Sequence, residues 1–215
     1  SGDGGGSGDR EEFKIEDTHL IGLDEASVRS LNGVRVAQLL LTHISNFENF
    51  RVTLRAVKEW ATENGLYSNK LGFLGGVNWA ILVACVCADH PNDPPAVLLV
   101  NFFKTYRKWR WPKPVKLLPI PKSPPAGVTP LTSWNPKTNP RDGSHLMPIL
   151  TPAYPVMNSS YNVGRPQLRR IIQEFRRADQ MTSAIVRGEK QWSDLFKEND
   201  FFRQHVHYLQ VNIRA

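Results

Sequence analysis

Sulfur is scarce in this chain, with two cysteines and three methionines among 215 residues. Cys85 and Cys87 stand two apart in the apolar run from Trp79 to Ala88, and residues at that spacing on a helix do not face each other. The spacing disfavours a disulfide and supplies no set of zinc ligands, so a buried, reduced pair is expected. Long apolar runs are also missing. None reaches the roughly 18 residues that a membrane span requires, and the first residues have neither the basic start nor the apolar core of a secretory leader. A soluble intracellular protein with no membrane partner is expected, and the Asn158-Ser159-Ser160 sequon carries no weight in one. Negative charge is in deficit: 20 Asp and Glu against 27 Lys and Arg give a net charge of +7 and an isoelectric point near 9.6. That balance favours a polyanion, with RNA the natural candidate.

The chain also has neither a P-loop nor a dinucleotide-binding fingerprint. In their place stands Gly72-Phe73-Leu74-Gly75-Gly76-Val77-Asn78-Trp79, just after the amphipathic stretch 50–64. Glycines let the main chain approach a phosphate closely, and the first N–H groups of a following helix offer donors to an anion. Lys58 lies on the preceding segment and Tyr67 in the turn. Spacing alone is equally compatible with two helices joined by a tight turn.

Periodicity places the elements. Asp24 is an N-cap for a short helix 25–31, and Asn32-Gly33 is expected to end it before a second helix over 34–44. His43 falls on the shared face of Val36, Leu39 and Leu40 as a boundary residue. Asn46 caps a helix on which Phe50, Leu54, Val57 and Ala61 recur at helical spacing, closed by Asn64-Gly65. Lys58 follows the core position Val57 and so belongs at a cleft rim. Further helices are expected over 77–89, stopped by Pro91, and from Pro94-Pro95 to about Trp109. Prolines 112, 114, 119, 121, 124, 125 and 130 then predict a long ordered excursion to Pro155, with a brief strand at 115–118. Helix returns from Arg165 or Pro166 to Arg187, with Leu168, Ile171, Ile172, Phe175, Ala178 and Ile185 inward. Gly188 breaks it before a short helix 191–196. The alternation from His205 to Ile213 predicts a strand, with His205 and His207 facing solvent and not a metal.

Cations and rings interleave around Lys104, Tyr106, Arg107, Lys108, Trp109, Arg110, Trp111, Lys113 and Lys116, the pattern that single-stranded nucleic acid uses. Lys104, Arg107, Lys108 and Arg110 are therefore candidate RNA contacts. Rings in helical domains are usually core, however. Arg165, Arg169, Arg170, Arg176 and Arg177 read as a solvated helix face.

The wording of one long stretch adds a resemblance. Residues 49–61, NFRVTLRAVKEWA, followed by 66–77, LYSNKLGFLGGV, closely resemble the central domain of eukaryotic poly(A) polymerases. Ser30 to Val36 resembles that family's entry to the domain. Trp109-Arg110-Trp111-Pro112-Lys113-Pro114-Val115, Trp134-Asn135-Pro136, His145 to Pro155, Tyr161-Asn162-Val163 and Asp200-Phe201-Phe202 resemble its later landmarks. The resemblance implies a mainly α fold: a helix bundle with a long Pro-rich loop over 23–198. Residues 1–22 would be a flexible tail or the remnant of an upstream catalytic domain. Residues 199–215 would be the first strand of a truncated α/β RNA-binding domain.

It also implies a function. The parent would be a polynucleotide adenylyltransferase, a nuclear nucleotidyltransferase that adds AMP from ATP to the 3′ end of pre-mRNA with Mg²⁺ or Mn²⁺. Lys58 and Tyr67 would contact ATP phosphates, Gly75, Gly76 and Val77 would line the nucleotide wall, and Asn69 and Asn32 would bond near base or ribose. Such enzymes use a Gly-Ser motif followed by a D-x-D pair and a third Asp, and the chain has no D-x-D pair. Asp3 and Asp9 lie too far apart in a Gly-rich tract to hold two cations. No catalytic or metal residue is therefore expected here, and the chain alone is expected to be inactive. The partners implied are ATP, an RNA 3′ end and 3′-end processing factors. The rival reading is a non-catalytic RNA-binding or scaffold module of a processing complex, indifferent to ATP.

Overall fold

The computed structural model describes residues 14–197 and 206–212. Seven helices occur among them: α1 (Glu25–Thr42), α2 (Phe47–Glu63), α3 (Gly76–Asp89), α4 (Pro95–Arg107), the single turn α5 (Pro140–Gly143), α6 (Arg165–Val186) and the single turn α7 (Trp192–Leu195). The mainly α class follows, and no helix of the described residues is long and apolar enough to cross a membrane.

α1 corrects the expectation of two helices, because it runs unbroken through Asn32-Gly33. Val28, Asn32, Val36 and Leu40 recur every fourth residue and are all buried. One continuous stripe is thus covered, which outweighs the roughly 1 kcal/mol that a mid-helix glycine costs relative to alanine. The buried guanidinium of Arg35 adds a fastening, donating to the Tyr154 carbonyl oxygen and pairing with Asp17. Both expected caps form: Asp24 accepts from the Ser27 N–H at 2.7 Å and Asn46 from the Asn49 N–H at 3.0 Å.

The centre of the bundle is aromatic. α4 packs on α6, and α2 and α3 close around them. Trp60 stacks on Phe175 at 5.7 Å and meets Phe103 edge-on at 4.7 Å, while Trp79 meets Phe175 edge-on at 6.3 Å. These rings are fully buried, and geometries of this kind add to what burial itself contributes. α3 is apolar on nearly every side because its neighbours surround it, which explains the free thiols. Cys87 is buried and Cys85 half-buried; burial pushes Cys85 up to about 12 and Cys87 to about 11, so neither is a thiolate at neutral pH.

The Pro-rich excursion, 108–164, is ordered by cross-links. Its two strands, β1 (Val115–Lys116) and β2 (Ile149–Leu150), pair in parallel with Val115 opposite Ile149. β1 is shorter than expected, and β2 carries no sequence signal of its own. Elsewhere side chains hold the backbone: Asn158 Oδ1 accepts the Ile149 and Ser160 N–H groups at 3.0 Å each, and Ser159 Oγ donates to the Ile149 carbonyl at 2.8 Å. The strand expected over 205–213 does not form in its described part. Residues 206–212 are exposed and have no strand assignment, Val206 and Leu209 being about 90% exposed. Alternation needs a neighbouring edge before it becomes a sheet. The Asp200-Phe201-Phe202 landmark, His205, and Asp3 and Asp9 lie outside the described residues.

Candidate functional site

α2 delivers Lys58 to the rim because Val57 and Trp60 anchor its inner face, leaving the lysine half-buried. The helix stops at Asn64-Gly65, where Gly65 takes φ +66°. Buried Leu66 and Leu74 then pin the ends of a loop that closes on itself through a bridge between Tyr67 and Leu74. Inside the loop, a 3-10 turn at Asn69–Leu71 ends at Gly72 with φ +79°. A methyl on Gly72 would stand 3.0 Å from the Asn162 carbonyl oxygen, so glycine is required there for both conformation and space. The junction between helices is therefore a built loop and not a tight turn.

This loop aims Tyr67 at the start of α3. A methyl built on Gly76 would meet the Tyr67 hydroxyl at 3.0 Å and Lys58 Nζ at 3.7 Å, so a cation and a hydroxyl converge on the first residue of that helix. Gly75, the N-cap, does not offer its own N–H outward: Asn78 Oδ1 accepts it at 2.7 Å. The Asn78 amide in turn donates to Ser159 Oγ at 2.7 Å, which bolts the α3 N-terminus to the excursion. Gly76 and Val77 supply the first helical N–H groups, positions that find no carbonyl within their own helix, and the positive end of the dipole adds to the Lys58 charge. Val77 is exposed and lies beside them.

Asn69 borders this group, its Cβ 3.6 Å from a methyl built on Gly75 and its Oδ1 accepting from Asn162 Nδ2 at 3.2 Å. Asn32 is held on α1 instead. It is buried, its Oδ1 accepts from Arg35 Nη1 at 3.1 Å, and its Nδ2 has no partner. The structure thus brings Lys58, Tyr67, Gly75, Gly76, Val77 and Asn69 together and joins Asn32 to them by no hydrogen bond. Asn78, Ser159 and Asn162 are residues of the site that sequence reasoning missed. An Asn three residues past an N-cap glycine was a signal for the first, whereas the other two depend on contacts across more than eighty residues.

The basic cluster at the end of α4 is more committed than its composition suggests. Lys104, Lys108 and Arg110 are exposed, but Arg107 Nε sits 2.6 Å from Asp179 Oδ2 on α6. Trp109 and Trp111 are half-buried at 6.0 Å from each other, and Lys113 Nζ lies 5.2 Å over the Trp109 ring. On α6, Arg170 and Arg177 both clamp the buried Glu174. No group of three or more His, Cys, Asp or Glu side chains that could hold a metal ion occurs among the described residues.

A half-buried amine and a hydroxyl thus converge on the opening N–H groups of α3, at one edge of a helical domain. Residues 49–198 match the model of the poly(A) polymerase central domain, and the chain belongs to that family. It is 48% identical over 196 residues to nuclear poly(A) polymerase 4 of Arabidopsis thaliana, which covers 91% of this chain and 26% of that protein. Nuclear poly(A) polymerase 2 of the same plant is 47% identical, with 91% and 24% covered. The poly(A) polymerase of Dictyostelium discoideum is 44% identical over 198 residues, 92% and 24%. The chain spans about a quarter of the length of these relatives.

Proposed function

We propose that this chain is the nucleotide-side wall of a nuclear enzyme that transfers AMP from ATP to the 3′ hydroxyl of an RNA, releasing pyrophosphate. The observation that carries the reading is the convergence of Lys58 Nζ and Tyr67 Oη on Gly76. In this reading the amine and hydroxyl hold the triphosphate tail, with the Gly76 and Val77 N–H groups beside them. As the α–β phosphate bond breaks, charge develops on the departing pyrophosphate. A lysine stabilises it as a point charge and releases the product without bidentate geometry. Val77 packs against the base or sugar, and Asn69 and Asn32 bond near base or ribose.

The described residues do not fit a divalent ion. Mg²⁺ or Mn²⁺ would be held by carboxylates outside this chain, and no step here passes through it. Without them the chain alone is inactive. The family supports the nuclear setting, and an RNA 3′ end and 3′-end processing factors are the partners of this reading. Lys104, Lys108 and Arg110 remain RNA-facing candidates by exposure, and Arg107 acts through Asp179 at most.

Lys58→Ala in the intact polymerase tests the reading. ATP affinity should fall about tenfold, close to 1.4 kcal/mol, with the melting midpoint unchanged because Lys58 lies at the rim. Unaltered ATP binding would favour the scaffold alternative.

A further inference from the structure

We propose that a second site, a cleft between α1 and the Pro-rich excursion, receives a phosphate and an adjoining base of single-stranded RNA. The RNA assignment rests on the polyadenylation reading; the oxyanion chemistry does not. The cleft holds about 390 Å³ and is lined by Arg29 from α1 and by Trp134, Arg141, His145, Asn158 and Tyr161 of the excursion. Lys58, Tyr67 and Gly76 do not line it, and its volume is in the range of small-ligand sites.

Asn158 carries the argument. Only 7% of it is exposed, and its Oδ1 is committed to the Ile149 and Ser160 N–H groups at 3.0 Å each. Those two donors fix which end of the amide is oxygen. Nδ2 is therefore a donor, and it is buried against the cleft without a partner. Buried amide donors are seldom left unpaired, and an oxyanion would satisfy this one. His145 has the same polarity: its Nδ1 accepts Trp134 Nε1–H at 3.1 Å, which leaves the ring proton on Nε2. Burial also lowers its pKa. Arg29 and Arg141 are exposed cations, and the pairing of Arg29 with Glu25 is a surface one that leaves most of its donors available. Asp142 also lines the cleft, but its Oδ2 is occupied by the Asn135 N–H at 2.9 Å.

Tyr161 selects RNA over a free anion. The residue is 54% exposed beside these donors, and an accessible ring next to phosphate contacts is the stacking arrangement of single-strand sites. The cleft is also tied to the nucleotide edge at two points. Asn158 is followed by Ser159, which holds Asn78, and Tyr161 is followed by Asn162, which holds Asn69. A strand seated here would lead towards the start of α3.

The test is the affinity of the intact polymerase for a labelled oligoadenylate. Asn158→Asp keeps an acceptor for both backbone N–H groups and replaces the free donor with a carboxylate oxygen. Should that variant fold poorly, Arg29→Gln with Arg141→Gln removes both cations at exposed positions. Each variant should weaken oligoadenylate binding about tenfold, and the arginine pair should lower the slope of log affinity against log salt by roughly 1.4, or 0.7 per cation. ATP affinity should stay fixed in each variant, and the melting midpoint should stay fixed in the arginine pair. Inorganic phosphate should compete with the oligoadenylate, and less well in Asn158→Asp. Phosphate binding that depends on Asn158 while oligoadenylate binding does not would overturn the RNA assignment. Oligoadenylate and phosphate binding unchanged in every variant would overturn the site. Lys58→Ala serves as the separate arm: loss of ATP with oligoadenylate retained is expected, and unchanged ATP would fail the nucleotide reading while leaving the Asn158 result to stand by itself.

Discussion

In the bundle of α2, α3, α4 and α6 the chain is held by rings, with Trp60 meeting Trp79, Phe103 and Phe175. In the excursion 108–164 it is held by side-chain oxygens and amides, with Asn158, Ser159 and Tyr154 bonded to main-chain groups. A helix satisfies its own backbone, so apolar contact suffices to place it. An irregular segment of prolines has no ladder of its own, and its buried N–H and C=O groups must be met by side chains. The candidate nucleotide edge lies on the seam, where Asn78 at the start of α3 meets Ser159 of the excursion. A packed helix end gives the edge rigidity, and the excursion gives it polar support.

Four measurements break or sharpen this contrast. Trp60→Ala should have the largest effect, destabilising the chain by about 3–5 kcal/mol because the cavity opens among rings that cannot collapse; denaturant unfolding monitored by circular dichroism reads it. Asn158→Ala should cost about 1–3 kcal/mol by leaving the Ser160 N–H unmet and the Ile149 N–H with Ser160 Oγ alone, and amide exchange should speed up over 147–160 while α2 and α6 keep their protection. Equal loss of protection in both regions would erase the distinction. Gly33→Ala should stabilise by about 0.5–1 kcal/mol, since the site is helical and a methyl there meets nothing within 4 Å; a lowered melting point would restore the break between two helices.

The smallest effect concerns pH. Burial, only partly offset by Asp142, holds His145 below its ordinary value of 6.5. The unfolded ring takes up a proton more readily than the folded one. Stability from this group is therefore intact above about pH 6.5 and declines as pH falls below it. His145→Gln should flatten the dependence of the unfolding midpoint between about pH 7 and 5, while the bundle, probed by Trp60 burial, should show none of its own from this source.

Legibility followed the same divide. α2, α3 and α6 were readable to within a residue or two because their caps and apolar spacing are local. The glycines of the loop were readable as a break between two helices, and the residues around them as a poly(A) polymerase domain. The break at Asn32-Gly33 was misread because local propensity favours a stop and only the stripe of Val28, Asn32, Val36 and Leu40 overrides it. Over 206–212 no strand forms, because alternation describes a face and not a partner. Arg107 looked free in sequence and is tied to Asp179 across two helices.

Sequence by itself determined α2, α3 and α6, the caps at Asp24 and Asn46, the glycines of the loop and the family, since each is written in neighbours within one or two turns. Tertiary structure decided which groups converge. Lys58, Tyr67 and Gly76 meet only because Leu66 and Leu74 fold the loop back, and Asn158 presents its amide to the cleft only because Ile149 and Ser160 claim the other end. Hydrogen bonding is directional over about 3 Å, so pairings of this kind are fixed by where distant segments pack and not by spacing along the chain.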